Sequence, residues 1–264
     1  MKNTEDLEEG AVTLLNDGPL AVLTLNRPSK RNALSKAMWR EIAKKAGEVA
    51  ADKSRRVMIL RGSDARAFSA GADIEEFEKV HASPETAHAY IDDVDRAFEA
   101  VAGLEIPTIA MIQGVCFGGG CALSLCCDFR YADNNAKFCI PPAKLGLVYS
   151  LKDTKRLADL IGPAKAKEML MTALVVDAAE AHRIGLANHL YEPEALEAET
   201  VAFAQRLAGL SQVTIGAVKL IMNDILSGTS SDTEASRRLV DGQFASPDYV
   251  EGRRAFLEKR KPVF

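Results

Sequence analysis

The chain is poor in several kinds of chemistry-bearing residue. It has one tryptophan and four histidines in 264 residues. No histidine follows Ser69 in the context a serine–histidine–acid triad needs, so a hydrolase reading of that serine is set aside. The five cysteines, Cys116, Cys121, Cys126, Cys127 and Cys139, crowd into one apolar region. They lack paired C-x-x-C spacing with histidines nearby, which excludes an ordinary zinc site and predicts no metal. Buried free thiols in a reducing compartment are the reading that fits. Basic charge is also short: 33 Lys and Arg stand against 37 Asp and Glu, a net charge of −4. That balance argues against a broad nucleic-acid surface, and Lys259-Arg260-Lys261 is too short a run to form one. No apolar run is long enough to span a bilayer. The start, Met1-Lys2-Asn3-Thr4-Glu5-Asp6, is polar and acidic, unlike a signal or transit peptide, so a cytoplasmic protein is expected.

What is present reads as alternating strands and helices. Ala11 to Leu15 and Leu20 to Leu25 are strand-like around the turn Asn16-Asp17-Gly18-Pro19. Ser35 is placed to cap an amphipathic helix running to about Ala51. Val57 to Leu60, Thr108 to Ile112, Phe129 to Ala132 and Lys137 to Ile140 are further short strands, and Pro84 to Ala102 has helical periodicity. From about Leu151 the chain reads as helical nearly throughout. The pattern predicts an α/β fold with largely parallel pairing, whose ligand site lies beyond the strand ends.

Two small-residue turns stand at such ends. Gly118-Gly119-Gly120 follows an apolar run from Ile109 and precedes a helical run from Cys121 to Cys127. Glycines there let the backbone turn tightly and a ligand come close. The first N–H groups of the helix then face outward at the positive end of its dipole, where an anion or oxyanion can be held. Ala67-Phe68-Ser69-Ala70-Gly71-Ala72-Asp73-Ile74 is the second turn, and Asp73 with Glu76 has capping-box spacing. Two turns of this kind can supply two amide donors to one oxygen.

Together with other segments, these turns resemble the enoyl-CoA hydratase/isomerase (crotonase) superfamily. The matching stretches are Asn26-Arg27-Pro28 with Asn32-Ala33-Leu34, Phe68 to Ile74, Gly118 to Cys121, Cys127-Asp128, Glu251-Gly252 and Phe256 to Lys261. Their order covers the chain from about Ala11 to its end. The resemblance implies an α/β, crotonase-like spiral of ββα units with a C-terminal helical trimerisation region, assembled as a homotrimer or homohexamer. Residues 1–200 would form the core and 201–264 the helical region. It implies an acyl-CoA thioester substrate, with coenzyme A present as part of that substrate and no permanently bound cofactor.

By the same resemblance, the amides of Ala70 and Gly119 would polarise the thioester carbonyl. Lys30 and Arg31 would meet the nucleotide phosphates and Ala33 the pantetheine arm. Ala70 to Asp73, Ala72 among them, would line the thioester and adenine side, and Ile74 would also bind the coenzyme. Phe256 and Lys259 would reach the adenine and phosphate, often those of a neighbouring subunit. The departures bear on the reaction. Hydratases of the family carry two glutamates, and Ala122 and Pro142 stand at those positions here, so that acid–base pair is missing. Ser150 stands where some dehalogenases and dienoyl isomerases place an aspartate. Tyr149 falls where a methylmalonyl-CoA decarboxylase of the family has its active-site tyrosine. That enzyme has a histidine where this chain has Ala72. A decarboxylase-like lyase suits a pocket without a base. A hydratase or isomerase taking an acid or base from elsewhere is the alternative, with His81, His88, Glu75, Glu76, Asp92 and Asp93 as outside candidates read mainly as solvated surface. A non-catalytic acyl-CoA or RNA binder is the competing class.

Overall fold

A computed structural model describes residues 9–264; the acidic start Met1–Asp6 lies outside the described residues. The chain begins with β1 (Ala11–Asp17) and β2 (Leu20–Asn26), an antiparallel hairpin. α1 (Lys36–Ala51) and β3 (Val57–Gly62) follow, then β4 (Ala67–Ser69), α2 (Phe77–Val80) and α3 (Pro84–Ala102). Next come β5 (Thr108–Ile112), β6 (Val115–Phe117) and α4 (Gly118–Ser124), then β7 (Phe129–Asp133), β8 (Lys137–Cys139) and α5 (Pro142–Leu145). The remainder is α6 (Leu151–Ile161), α7 (Pro163–Thr172), β9 (Val176–Asp177), α8 (Ala178–Arg183), β10 (His189–Tyr191), α9 (Pro193–Ala208), α10 (Gln212–Leu226), α11 (Glu234–Gly242) and α12 (Pro247–Leu257).

Three successive ββα turns organise the middle of the chain. In each, the first strand joins a six-stranded sheet of order β1-β2-β3-β5-β7-β10. The second strand joins a four-stranded sheet of order β4-β6-β8-β9, and a helix follows. Apart from β1–β2 and β8–β9, every pairing is parallel. This is the expected spiral, with two corrections. The run from Ile109 into the glycines is two strands in two sheets, and the chain turns between them at Gly114. The helix after them also starts at Gly118 rather than Cys121, because the glycines themselves form its first turn.

Parallel sheets are covered on both faces, which makes their strands apolar throughout. All of β2 is buried. Its alternate residues Ala21, Leu23 and Leu25 face a core shared with Trp39, Ile42, Phe98 and Val101 of α1 and α3. Leu20 and Val22 face a second core under Leu196, Ala204 and Ala208 of α9. Ser35 caps α1 as expected, accepting from the Met38 amide at 3.2 Å. The expected boundary at residue 200 falls inside α9, which packs on the large sheet along its whole length. All five cysteines are free and buried, and burial pushes the Cys127 thiol up to about 12. Arg130, wholly inside, donates to the carbonyls of Ser124, Cys127 and Leu186 and so clamps the tail of α4. No described helix is long and apolar enough to cross a membrane.

Candidate active site

Because β4 and β6 are parallel neighbours, their C-terminal ends lie side by side. The turn 69–73 after β4 therefore meets the turn 117–120 after β6. Gly71 has φ +102°, and a Cβ there would sit 3.0 Å from the Phe117 carbonyl oxygen and 3.4 Å from the Gly119 nitrogen. A Cβ on Gly120 would come within 2.5 Å of the Ser69 Cβ. Only glycine permits this approach, because any side chain would drive backbone from backbone.

The loop Arg27–Leu34 then decides which amides stay open. Asn32, buried at φ +55°, donates to the Ala67 carbonyl at 2.8 Å and accepts from the Arg27 amide at 2.9 Å. That holds the loop beside the turn after β4. The Ala70 amide donates to the Arg31 carbonyl at 2.9 Å. The Gly71 amide donates to Ser69 Oγ at 3.1 Å. Asp73 donates to the Leu34 carbonyl at 2.9 Å. Among the described residues, Ala72 alone in this turn has an amide with no acceptor.

The expectation for Ala70 is therefore corrected. Its N–H is already bonded within the chain, and the open donor is two residues on, at Ala72. The Ala72 nitrogen lies 3.6 Å from the point a Cβ on Gly119 would occupy. Gly119 is in the first turn of α4, where N–H groups have no intrahelical acceptor. Two open main-chain donors, at Ala72 and Gly119, thus lie on turns that meet, with Ala72 in the place expected for Ala70.

The other expected residues divide. Asp73 is buried and structural: it accepts from Arg27 Nη1 at 2.6 Å and caps the 3-10 turn Ile74–Glu76 through the Glu75 amide. The capping box with Glu76 does not close, since Glu76 accepts from the Lys36 amide at 2.7 Å instead. Lys30 pairs with Glu75 at 2.5 Å on the surface. Arg31 is exposed at φ +51°, with its carbonyl committed to Ala70. Ala33 is half-buried, its carbonyl accepting from Arg27 Nη1 at 3.2 Å, and Ile74 is exposed. Among the described residues, no hydrogen bond, ion pair or ring contact joins Phe256 or Lys259 to these turns. Phe256 is 85% exposed.

Where the family's hydratases carry carboxylates, Ala122 and Pro142 are both buried. Tyr149 is half-buried against the core. Burial, with smaller effects from Cys121, Asp153, Cys139 and Tyr90, holds its hydroxyl far above the usual phenol range. A phenol so placed stays neutral and keeps a proton it can donate. Ser150 is occupied as the cap of α6, accepting from the Asp153 amide and donating to Asp153 Oδ2 at 2.7 Å. Asp93, expected on a solvated helix face, is buried between Arg40 and Arg96. His81 and His88 are exposed, as expected.

Sequence reasoning passed over Trp39 and Tyr90. Trp39 Cζ2 lies 3.1 Å from the same Cβ point on Gly119, and its Nε1 donates to the Tyr90 hydroxyl at 3.1 Å. The signal was available, since a helix phased from the Ser35 cap puts Trp39, Ile42, Ala46 and Val49 on one buried face. A separate cleft of about 870 Å³ lies between α6 and α10, bounded by Leu160, Val218 and Met222, and takes in none of the expected site residues. Among the described residues, no three of His, Cys, Asp and Glu gather as metal ligands would.

Comparison with known proteins agrees with the arrangement. A family model described as enoyl-CoA hydratase/isomerase matches residues 16–264. A protein named crotonyl-CoA hydratase from Syntrophomonas wolfei is 37% identical over 96% of this chain and 97% of its own length. A short-chain-enoyl-CoA hydratase from Clostridium acetobutylicum is 32% identical over 97% of each. The solved structure of an enoyl-CoA hydratase/carnithine racemase from Magnetospirillum magneticum superposes with a TM-score of 0.91 at 37% identity, covering 96% of this chain and 94% of that one. With fold, paired turns and full-length matches in agreement, the chain belongs to the enoyl-CoA hydratase/isomerase family.

Proposed function

We propose that the protein processes an acyl-CoA thioester by holding its carbonyl oxygen between the amides of Ala72 and Gly119. The observation that carries this reading is that those two N–H groups lie close together and open, while the amides of Ala70, Gly71 and Asp73 around Ala72 are bonded. Drawing the oxygen's charge toward two fixed donors favours an enolate, and one such donor is worth about 3–4 kcal/mol in a transition state. Lys30 and Arg31 meet the coenzyme phosphates, with the Lys30–Glu75 pair opening to release the ammonium, and Ala33 lies along the pantetheine arm. Phe256 and Lys259 serve a neighbouring subunit's coenzyme in a trimer or hexamer, as the family likeness suggests.

The reaction is a lyase of decarboxylase type. Ala122 and Pro142 offer no proton acceptor, so a step that creates an enolate without a base is favoured. In that step the bond between the α-carbon and the carboxylate breaks, carbon dioxide leaves, and the electron pair passes through the α-carbon to the thioester oxygen. Tyr149, kept neutral, donates a proton to the α-carbon and recovers one from solvent. The names of the relatives support a second reading, hydration of an enoyl thioester with an acid or base from elsewhere. Offering methylmalonyl-CoA and crotonyl-CoA side by side separates the two. Carbon dioxide release without loss of the enoyl absorbance upholds decarboxylation, and rapid hydration overturns it. Tyr149→Phe should slow the reaction about tenfold or more if the hydroxyl transfers the proton, and an unchanged rate returns it to packing.

A further inference from the structure

The single tryptophan has a place that packing alone does not explain. The edge of its six-membered ring, Cζ2 and Cη2, lies 3.1 and 3.3 Å from the point where a Cβ on Gly119 would be. That point is itself 3.6 Å from the Ala72 nitrogen, so the indole fills the space beside the paired amides. The ring is held on two further sides. Phe98 meets it edge-on with centroids 5.5 Å apart, and its Nε1 donates to the Tyr90 hydroxyl at 3.1 Å. Both partners of that hydrogen bond are buried, at 1% and 6% exposure. An apolar pair would fill the same volume between α1 and α3. An N–H to O–H bond also fixes the tilt and slide of the indole plane. Tyr90 is in turn met by Phe77 and His81, whose ring centroids lie 6.3 and 5.7 Å away, from the segment directly after the Ala72 turn.

We propose that Trp39, aimed by Tyr90, is a positioning residue that sets the Gly119 amide against the Ala72 amide. This rests on the reading that the two amides bind a thioester oxygen. Gly119 has no side chain to anchor it, and its N–H has no intrahelical bond. Its orientation therefore depends on what packs beside its backbone, and the indole edge lies there, 3.1 Å from its Cβ point. Donors to a developing oxyanion act only when held close to the productive geometry, which makes small displacements costly.

The test uses the full chain and 4-(dimethylamino)cinnamoyl-CoA, whose absorption moves to the red when its carbonyl oxygen accepts hydrogen bonds. The unaltered protein should bind it with a red shift. Tyr90→Phe, of the same shape, should keep affinity for it within about threefold yet lose half or more of the shift and about tenfold in kcat. Trp39→Leu should lose more, and Tyr90→Phe decides the matter if that variant does not fold. A red shift and kcat preserved in Tyr90→Phe, with only the melting temperature lowered, overturn the positioning role and leave the oxyanion reading standing. No binding or no red shift in the unaltered protein overturns the oxyanion reading, and this inference with it.

Discussion

The two turns that meet at the site leave their amides open by different means. After β6 the chain simply starts a helix, so the Gly118–Gly120 amides lack acceptors as at any helix start. After β4 the openness is made by subtraction. The Arg31 carbonyl, Ser69 Oγ and the Leu34 carbonyl take the amides of Ala70, Gly71 and Asp73, and Ala72 is left over. The first turn needs only glycines that begin a helix. The second depends on a loop some forty residues earlier in the chain, pinned by a buried asparagine and an ion pair. What leaves the Gly119 amide open is thus local, a helix start, and what leaves the Ala72 amide open is long-range, and the two should respond differently to substitution.

The largest expected effect is the loss of both at once. In Gly71→Ala a side chain enters at φ +102°, 3.0 Å from the Phe117 oxygen, and parts the turns. Turnover of any accepted thioester should fall about a hundredfold, with a stability loss of about 2 kcal/mol in urea unfolding. Asp73→Asn strikes the long-range side alone. It breaks the 2.6 Å pair with Arg27, whose side chain is only 20% exposed, and should cost about 2 kcal/mol while sparing the glycine turn. Ser69→Ala removes one acceptor and one donor and frees the Gly71 N–H, for about 1–2 kcal/mol. A wild-type red shift with the chromophoric thioester in that variant would show that subtraction is not what selects Ala72.

Alkali probes the Trp39–Tyr90 pair beside the glycine turn. Burial, ahead of the charges of Glu76 and Asp73, lifts the Tyr90 hydroxyl from 10.0 to about 12. The unfolded chain loses that proton near 10, so folding stability is intact below that pH and declines as pH rises toward 12. Denaturant midpoints across this window should fall more steeply in the unaltered protein than in Tyr90→Phe. The smallest effect belongs to Lys30→Ala. Its 2.5 Å pair with Glu75 joins side chains 43% and 73% exposed, and should be worth less than about 0.5 kcal/mol, vanishing in salt.

Much of this was legible in the residues. Apolar runs ending in small residues located the strands, and Ser35 located α1 to the residue. Parallel pairing placed both turns at one end. What was not legible was bonding that crosses the chain. The offer of Ala70 as donor failed because its acceptor, Arg31, lies in a loop whose left-handed backbone no periodicity announces. Asp73 and Asp93 were read as a ligand contact and as solvated charge. Each is fixed by an arginine from a distant segment, Arg27 and Arg40, which only the folded arrangement reveals. The break at Gly114 was hidden for a similar reason, since a strand that changes sheets looks in sequence like one strand.

The paired donors contain no side chain. Side chains such as those at positions 122, 142 and 149 can therefore be exchanged while the main-chain donors stay as they are. A fold built in this way separates the tool that stabilises charge from the tools that move protons.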